Sequence, residues 1–326
     1  MTEMIVLTHL TKHFGPLKAV DGINMSVAKG EVLGFLGPNG AGKSTTMKMI
    51  TGFLTPTDGE ARVDGIDVVQ DPVAAKRRLG YLPEGAPCYG DMTPLSFLGF
   101  IAEVRGLSGA ERRRAIDQAV ERVEIGGVLQ QPIETLSKGF KRRVGLAQAI
   151  LHNPPVLILD EPTDGLDPNQ KHQVRDLIHQ MAEDKAVVIS THILEEVEAV
   201  CTRAVIIARG KLLADGTPEE LVRRSPLHNA VHLDVASNIV DAVIRDIEAL
   251  AGVGSVRRDS SFSVKATLIV TSKSGAPIAP ALAALLQDKG HDVSDFKTEK
   301  GALDAMFREI TRGPDRNAAS GDAGHA

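Results

Sequence analysis

The sequence predicts an α/β fold around a mainly parallel sheet, followed by a smaller α+β domain. Short apolar runs alternate with helix-like stretches up to about Gly216, a pattern typical of layered strands and helices. The pattern changes after Ser225-Pro226, where a different order of shorter elements begins. The chain has 326 residues, of which 43% are hydrophobic and 24% charged, so its length and composition fit one large or two ordinary folded domains.

The overall composition argues against several classes of protein. With a net charge of −5, the chain lacks the basic surplus of non-specific nucleic-acid binders, so we expect no nucleic-acid partner. The two cysteines, Cys88 and Cys201, are far apart, which favours apolar thiols in a reducing compartment over a disulfide framework or a cysteine metal site. No apolar run approaches the roughly 18 residues of a membrane-spanning helix, and no secretory signal pattern opens the chain.

We expect the first domain to span residues 1–224 and to contain a buried sheet. Continuous apolar runs of strand length are typical of parallel strands that are covered on both faces. Such runs occur at Ile5–Leu7, Val32–Leu36, Val156–Leu159, Val187–Ser190 and Val205–Ala208. Helical patterns between them include Ser44–Gly52 and Gln170–Glu183.

A helical insertion interrupts this alternation. The stretch Pro94–Gln131 is mostly helical in pattern, and we expect a helical subdomain over about residues 85–145. The charged run Glu111–Arg114 within it is most simply explained as the solvated face of a helix.

The segment 225–312 predicts a small domain of the ferredoxin-like βαββαβ order. Its strands are expected at Val231–Val235, Val256–Arg258, Ala266–Thr271 and Val293–Thr298, and its helices at Asn238–Leu250 and Ile278–Lys289. A final helix is expected at Ala302–Thr311. The remaining residues, 313–326, are small and polar, and we expect them to be disordered.

The segment Gly37–Ser44 matches the phosphate-binding loop pattern GxxxxGK[ST]. It follows a buried strand and precedes a helix, so its backbone N–H groups and the helix N-terminus can face an anion. Lys43 is expected to neutralise the β- and γ-phosphates, and Ser44 to bind Mg²⁺. The residues expected to contact the nucleotide here are Gly37, Pro38, Asn39, Gly40, Ala41, Gly42, Lys43, Ser44 and Thr45. The loop alone leaves kinases, GTPases, motors and transporters open.

Acidic residues and a histidine follow two other apolar strands. Asp160 and Glu161 end the run Val156–Leu159, so Asp160 can hold Mg²⁺ through water and Glu161 can act as general base for the attacking water. His192 follows another strand, at the sheet edge where open α/β sheets bind ligands, and can hydrogen-bond a γ-phosphate.

With these motifs, the segment Leu136–Phe140 (LSKGF) resembles the LSGGQ signature of the nucleotide-binding subunits of ABC transporters. Lys138 and Phe140 depart from that pattern, whereas Ser137 and Gly139, which approach the γ-phosphate in the family, are kept. The resemblance covers about residues 3–222. It implies a P-loop NTPase core with a helical signature subdomain, ATP and Mg²⁺ as bound groups, and ATP hydrolysis as the activity.

Other positions take roles from the same resemblance. Asp167 falls at the acid of the family's D-loop, His192 at its switch histidine, and Phe14 where an aromatic ring stacks on adenine, although Phe14 could instead be a core residue. Glu84 replaces the glutamine that usually contacts Mg²⁺, so it keeps an oxygen ligand but adds a negative charge. The segment Tyr81–Glu84 resembles the export-type branch, whose permease is a separate chain.

The resemblance also implies partners. Two copies would pair head to tail, with each ATP between Lys43 of one copy and Ser137 of the other, and hydrolysis would open the homodimer. The subunit would sit on the cytoplasmic face of the membrane, against an integral membrane permease. The alternative is a soluble ABC-type regulatory ATPase. The transported substrate stays open between drug, lipid, polysaccharide and peptide.

Apolar side chains after Glu84 predict a permease-docking surface. The candidates are Tyr89, Met92, Leu95, Phe97 and Phe100. Some could stay exposed and receive a short helix of the permease, while most could pack inside the helical insertion.

Overall fold

The computed structural model describes residues 2–85, 88–225, 227–261 and 265–299, together with Leu303, Phe307 and Ile310. The chain divides into two compact units, Met1–Thr217 and Pro218–Ala326. The division falls before the boundary predicted at residue 224, because the short helix Pro218–Arg223 groups with the second unit. None of the helices in the described ranges is long and apolar enough to cross a membrane.

The first unit contains ten strands and seven helices among its described residues. The strands are β1 (Glu3–Phe14), β2 (Leu17–Ala28), β3 (Val32–Leu36), β4 (Asp58–Val63), β5 (Ile66–Asp67), β6 (Leu79–Leu82), β7 (Val156–Asp160), β8 (Ala186–Thr191), β9 (Arg203–Ala208) and β10 (Lys211–Gly216). The helices are α1 (Lys43–Ile50), α2 (Pro72–Arg77), α3 (Pro94–Val104), α4 (Gly109–Arg122), α5 (Lys138–Ile150), α6 (Pro168–Ala182) and α7 (Leu194–Val200).

The central sheet has six strands in the order β10-β9-β3-β8-β7-β6, and only the edge strand β10 is antiparallel to its neighbour. Every residue of β3, β7 and β8 is buried, which agrees with their continuous apolar sequences. Since β3, β7 and β8 are parallel neighbours, their carboxyl ends lie at one edge of the sheet. The α/β class predicted from the sequence is confirmed.

A second sheet in this unit is antiparallel, with the order β2-β1-β4-β5. The run Ile5–Leu7, which we predicted as a short strand of the parallel sheet, belongs instead to the twelve-residue strand β1 of this second sheet. The inward side chains of the two sheets and of α1 form one hydrophobic core, which includes Leu10, Phe35 and Met47.

The helical insertion lies between β6 and β7. Its helices α3, α4 and α5 pack against one another, and two short 3₁₀ turns, Gly126–Val128 and Ile133–Thr135, connect α4 to α5. Thr93 begins α3 by accepting a hydrogen bond from the Ser96 N–H, at 3.2 Å, ahead of Pro94 in the first turn.

The second unit has a four-stranded antiparallel sheet, with two helices between its strands and a short helix before the first strand. It consists of α8 (Pro218–Arg223), β11 (Val231–Ala236), α9 (Val240–Glu248), β12 (Val253–Ser261), β13 (Lys265–Ser272), α10 (Ala279–Asp288) and β14 (Val293–Thr298). The spatial order β14-β11-β13-β12 is that of the predicted βαββαβ arrangement. Leu303, Phe307 and Ile310 are helical, but most of the helix predicted at Ala302–Thr311 and the tail predicted at 313–326 lie outside the described residues.

Candidate nucleotide-binding site

The phosphate loop joins the carboxyl end of β3 to the N-terminus of α1. Gly42 caps the helix with a φ of 108°, a conformation that side chains other than glycine rarely adopt. A Cβ atom at Gly42 would lie 2.5 Å from the carbonyl oxygen of Ala19, and one at Gly37 would lie 2.4 Å from that of Ile207. Backbone approaches on both sides therefore require these glycines and fix the curvature of the loop.

The substitution Gly42→Ala is expected to abolish measurable ATP binding, because the loop must shift to relieve both the contact with Ala19 and the positive φ. Titration with a fluorescent ATP analogue measures this loss. The matched control is Gly15→Ala. Gly15 also has a positive φ, of 57°, but its Cβ would meet nothing within 4 Å among the described residues. Wild-type affinity in the Gly42 variant would contradict the proposed path of the loop.

Lys43 occupies the inside of the loop. Its side chain is buried, and Nζ donates hydrogen bonds to the carbonyl oxygens of Gly37, at 2.6 Å, and Pro38, at 3.4 Å. Burial lowers the pKa of Lys43, while the negative charges of nearby acids, Glu161 first, act in the opposite direction. An anion inside the loop would give this ammonium group the charged partner that the neutral carbonyls do not supply.

A cavity of about 440 Å³ lies over the loop. It brings together an aromatic ring, loop residues and two acids that are far apart in sequence. Its lining consists of Phe14, Leu17, Ala19, Pro38, Asn39, Gly40, Gly42, Lys43, Ser44, Thr45, Glu84 and Glu161. Phe14 is 49% exposed and thus does not belong to the core, which was the other interpretation of this residue. Lys12 lies against its ring, with Nζ 5.5 Å from the ring centroid.

The two acids at the carboxyl end of β7 are held by Ser190 of β8 and by His192, which follows β8. Asp160 is buried and accepts a hydrogen bond from the Ser190 hydroxyl. Glu161 has a φ of 51°, its backbone N–H donates to the Ser190 carbonyl oxygen at 3.0 Å, and its Oε1 lies 2.9 Å from Nδ1 of His192. Burial raises the pKa of Glu161, and the hydrogen bond from His192 only partly offsets this. A carboxyl group with a raised pKa accepts a proton more readily than an ordinary surface glutamate.

The oxygen atoms around the loop suit Mg²⁺. A hydroxyl group and carboxylates are the ligands that this ion prefers, and Ser44, Asp160 and Glu84 supply them. Within the described ranges, no group of three or more His, Cys, Asp or Glu residues is arranged to hold a metal by itself. A magnesium ion here would therefore depend on phosphate oxygens for much of its coordination, as is usual at nucleotide sites.

The signature segment and the D-loop residue lie elsewhere in the chain. Ser137 caps α5 by accepting a hydrogen bond from the Phe140 N–H at 3.3 Å, and Asp167 caps α6 in the same way through the Gln170 N–H at 2.9 Å. A Cβ at Gly139 would lie 2.5 Å from Oε1 of Gln170, so these two caps are close neighbours. Among the described residues that line the cavity, Ser137, Gly139 and Asp167 do not occur.

Sequence reasoning missed several polar residues behind the site. Glu196, on α7, is buried and accepts hydrogen bonds from the hydroxyls of Thr163 and Thr191, so it connects the segment after Glu161 to the strand end before His192. Arg142, on α5, is also buried. Acidic and basic residues in helices are usually solvated, so neither residue gave a signal. Ser190 did give one, as a polar residue near the end of an otherwise apolar strand.

Comparisons with known proteins agree with this geometry. A family model described as ABC transporter matches residues 20–164. The chain is 40% identical over 223 residues to the probable multidrug ABC transporter ATP-binding protein YbhF of Escherichia coli, covering 68% of this chain and 38% of that relative. It is 32% identical over 322 residues to the daunorubicin/doxorubicin resistance ATP-binding protein DrrA of Streptomyces peucetius, covering 96% of this chain and 94% of the relative.

Solved structures give the same result for the fold. An ATP-binding subunit of an ABC transporter aligns with a TM-score of 0.63 and 31% identity, covering 68% of this chain and 92% of that one. A dimeric ATP-binding cassette in a post-hydrolysis state, bound to ADP and Pi, aligns with a TM-score of 0.62 and 25% identity, covering 66% of this chain and 99% of that one. The phosphate loop, the two acids at the end of β7 and the similarity to DrrA over nearly the whole chain all indicate the same family. The chain belongs to the ATP-binding proteins of ABC transporters.

Proposed function

We propose that this chain binds ATP in the cavity over the phosphate loop and hydrolyses it to drive export through a separate membrane permease. The observation that carries the proposal is the convergence of Phe14, Lys43, Ser44, Glu84 and Glu161 on one cavity. Adenine would stack on the exposed ring of Phe14, and the phosphates would extend over the loop toward Lys43.

In the proposed reaction, Glu161 accepts a proton from the water molecule that attacks the γ-phosphorus. The bond between that phosphorus and the oxygen bridging to the β-phosphate breaks, so ADP and inorganic phosphate are the products. His192, whose Nδ1 is hydrogen-bonded to Glu161 at 2.9 Å, would keep the carboxylate oriented toward the attacking water beside the γ-phosphate. Lys43 would stabilise negative charge on the β- and γ-oxygens.

The residues that would hold Mg²⁺ are Ser44, Asp160 and Glu84. When bound, the ion would neutralise charge on the β- and γ-phosphate oxygens. The hydrogen bond from the Ser190 hydroxyl fixes the orientation of the Asp160 carboxylate before any ion arrives. Glu84 would add a negative charge where the family usually has a neutral amide, and this favours binding of a cation.

We propose a head-to-tail homodimer as the hydrolysing species. Its support is the separation of Ser137, Gly139 and Asp167 from the cavity lined by Lys43, because a second copy could bring its signature segment to the γ-phosphate. The cap at Ser137 leaves N–H groups of the first turn of α5 available to an anion. A similar solved cassette is described as dimeric, with ADP and Pi bound.

An apolar groove of about 750 Å³ is the proposed permease-docking surface. Tyr89, Phe100 and Val104 contribute exposed apolar area, and the Tyr89 ring lies 5.9 Å from that of Phe100. Of the docking candidates in the sequence, Phe97 is buried and its ring contacts that of Tyr89, with 6.1 Å between the ring centroids. The basic residues that line the groove are Lys76, Arg77 and Arg105. A short amphipathic helix with apolar residues on one face and acidic residues at its margin fits this chemistry.

The double substitution Phe100→Asp with Val104→Asp is expected to detach the subunit from the permease, because carboxylates replace the apolar surface of the groove. The tagged chain is purified from detergent-solubilised membranes of its host, and the co-purifying membrane protein is identified. Leu213→Asp is the control, since Leu213 is 40% exposed but does not line the groove. Unchanged co-purification of the same permease by the double variant would contradict docking at this groove.

The proposed substrate class is an amphipathic drug-like compound. Its support is that two relatives that cover most of this chain are named for resistance: DrrA for daunorubicin and doxorubicin, and LnrL of Bacillus subtilis for linearmycin. LnrL is 36% identical over 254 residues, covering 78% of this chain and 81% of the relative. Deletion of the gene from its host should lower the inhibitory concentration of such compounds, and the variant Glu161→Gln should fail to restore it.

A further inference from the structure

A buried arginine connects the docking groove to Glu161. Arg142 lies on α5, within the helical insertion, and is 5% exposed. Its Nη1 donates to the carbonyl oxygen of Pro83 at 3.2 Å, and its Nη2 donates to the carbonyl oxygen of Glu161. Pro83 precedes Glu84 and lines the apolar groove. One guanidinium group therefore holds the segments that follow β6 and β7.

The contact with Glu161 acts on a backbone that needs external support. Glu161 has a φ of 51°, in the left-handed region that non-glycine residues rarely occupy unless surrounding contacts hold them there. Its N–H is held by the Ser190 carbonyl at 3.0 Å, and its carbonyl accepts hydrogen bonds from Arg142 and from the Asp164 N–H at 3.2 Å. Of these three contacts with the Glu161 backbone, the one from Arg142 is made by a side chain, so a substitution of Arg142 can remove it.

The burial of Arg142 is poorly explained by stability alone. Its Nε is buried and has no hydrogen-bond partner within the part of the chain that the structure describes. Burial lowers its pKa, and the nearby acids Asp164, Asp160, Glu161 and Glu84 counteract this shift. A buried charge with an unsatisfied donor is seldom a net gain in stability, so a role in the site is the better explanation.

We propose that Arg142 is a positioning residue for hydrolysis, which aims the Glu161 carboxylate by holding the Glu161 carbonyl oxygen with one arm of its guanidinium group while the other arm holds Pro83, a residue that lines the docking groove. The inference rests on the proposed role of Glu161 as general base. Arg142 is not among the described residues that line the cavity over the phosphate loop, and it reaches that cavity through its contact with the Glu161 carbonyl oxygen, so we expect ATP affinity not to depend on it. Its loss affects the rate of the chemical step instead.

The experiment compares Arg142→Met, which keeps side-chain length but removes the donors, with Arg142→Lys, Glu161→Gln and the wild type. The matched control is Arg143→Met. Arg143 is also a buried arginine of α5, but it donates to the Val123 carbonyl oxygen at 3.2 Å and to the side chains of Glu124 and Gln173. For each variant, kcat, KM for ATP, affinity for a non-hydrolysable ATP analogue and Tm are measured.

For Arg142→Met, we expect kcat to fall by about ten- to a hundredfold, because small displacements of a reacting group have effects of this size. The KM for ATP and the affinity for the analogue should stay within about twofold of the wild-type values. The substitution does not change contacts that bind the ground state and the transition state equally. Arg142→Lys should recover part of kcat. Arg143→Met should lower Tm at least as much as Arg142→Met does, but its kcat should stay within about twofold of the wild type.

Three results would overturn the inference. They are a wild-type kcat in Arg142→Met, an equal fall of kcat in the Arg143 control, or a loss of analogue affinity that parallels the loss of kcat. If Arg142→Met does not fold, Arg142→Lys becomes the test, because one ammonium group cannot reproduce both contacts of the guanidinium group. A wild-type kcat in Arg142→Lys would then exclude the proposed positioning role. Full activity of Glu161→Gln would instead refute the proposed function, so the two failures are distinguishable.

Discussion

Glu161→Gln is expected to lower the rate of ATP hydrolysis by roughly a hundred- to ten-thousandfold, the usual range for loss of a general base. The amide keeps the size and can still contact His192, but it cannot accept a proton from water. ATP binding should persist because Lys43 and the loop are unchanged. Since hydrolysis is the step that opens the proposed dimer, ATP-bound copies should accumulate as dimers.

Release of phosphate and sedimentation in the presence of ATP measure these two effects on the same sample. The control variant is Glu195→Gln, which removes an exposed carboxylate from the segment after His192 without touching Glu161. Hydrolysis near the wild-type rate in Glu161→Gln would remove Glu161 as the base. Loss of ATP affinity in that variant would show that the carboxylate contributes to binding instead.

Lys43→Ala is expected to weaken ATP binding by roughly one to two orders of magnitude, which corresponds to the loss of one charge-assisted hydrogen-bonding partner. The phosphates would lose the one lysine that lines the cavity among the described residues. Isothermal titration with a non-hydrolysable analogue measures the affinity. Hydrolysis should fall at least as far, since Lys43 would also stabilise charge in the transition state.

The control for this variant is Lys48→Ala, because Lys48 is exposed on the same helix and does not line the cavity. Undiminished affinity in Lys43→Ala would contradict the proposed phosphate loop. The fluorescence of an adenine analogue adds a second check, because it reports stacking of the base on Phe14, and this stacking does not depend on the Lys43 ammonium group.

The parallel core could be predicted closely because its sequence has one strong signal. The strands β3, β7 and β8 are buried on both faces, so nearly every residue is apolar and their limits are easy to locate. Because parallel strands end at one sheet edge, the loop after β3, the acids after β7 and His192 after β8 could be expected to lie together.

The antiparallel sheet gave a weaker signal. Strands β1 and β2 mix buried, half-buried and exposed residues without a strict alternation, and bulges interrupt the register between Leu7 and Lys12. The sequence pattern therefore indicates a strand only over the run Ile5–Leu7. The hydrogen bonds of Arg142 and Glu196 were beyond prediction, because they depend on the packing of separate helices against loops. Predictions from one sequence rest on local pattern, and such contacts have none.

Mixing two inactive variants tests most directly whether each ATP site is shared between two copies of the chain. In a head-to-tail dimer of Lys43→Ala with Ser137→Arg, one site combines both substitutions, while the other has an intact Lys43 and an intact Ser137. Each variant alone should be inactive, and an equal mixture should regain up to about one quarter of wild-type hydrolysis if copies pair at random and sites act independently. A mixture as inactive as its components, or full activity of Ser137→Arg alone, would contradict a site shared between two copies.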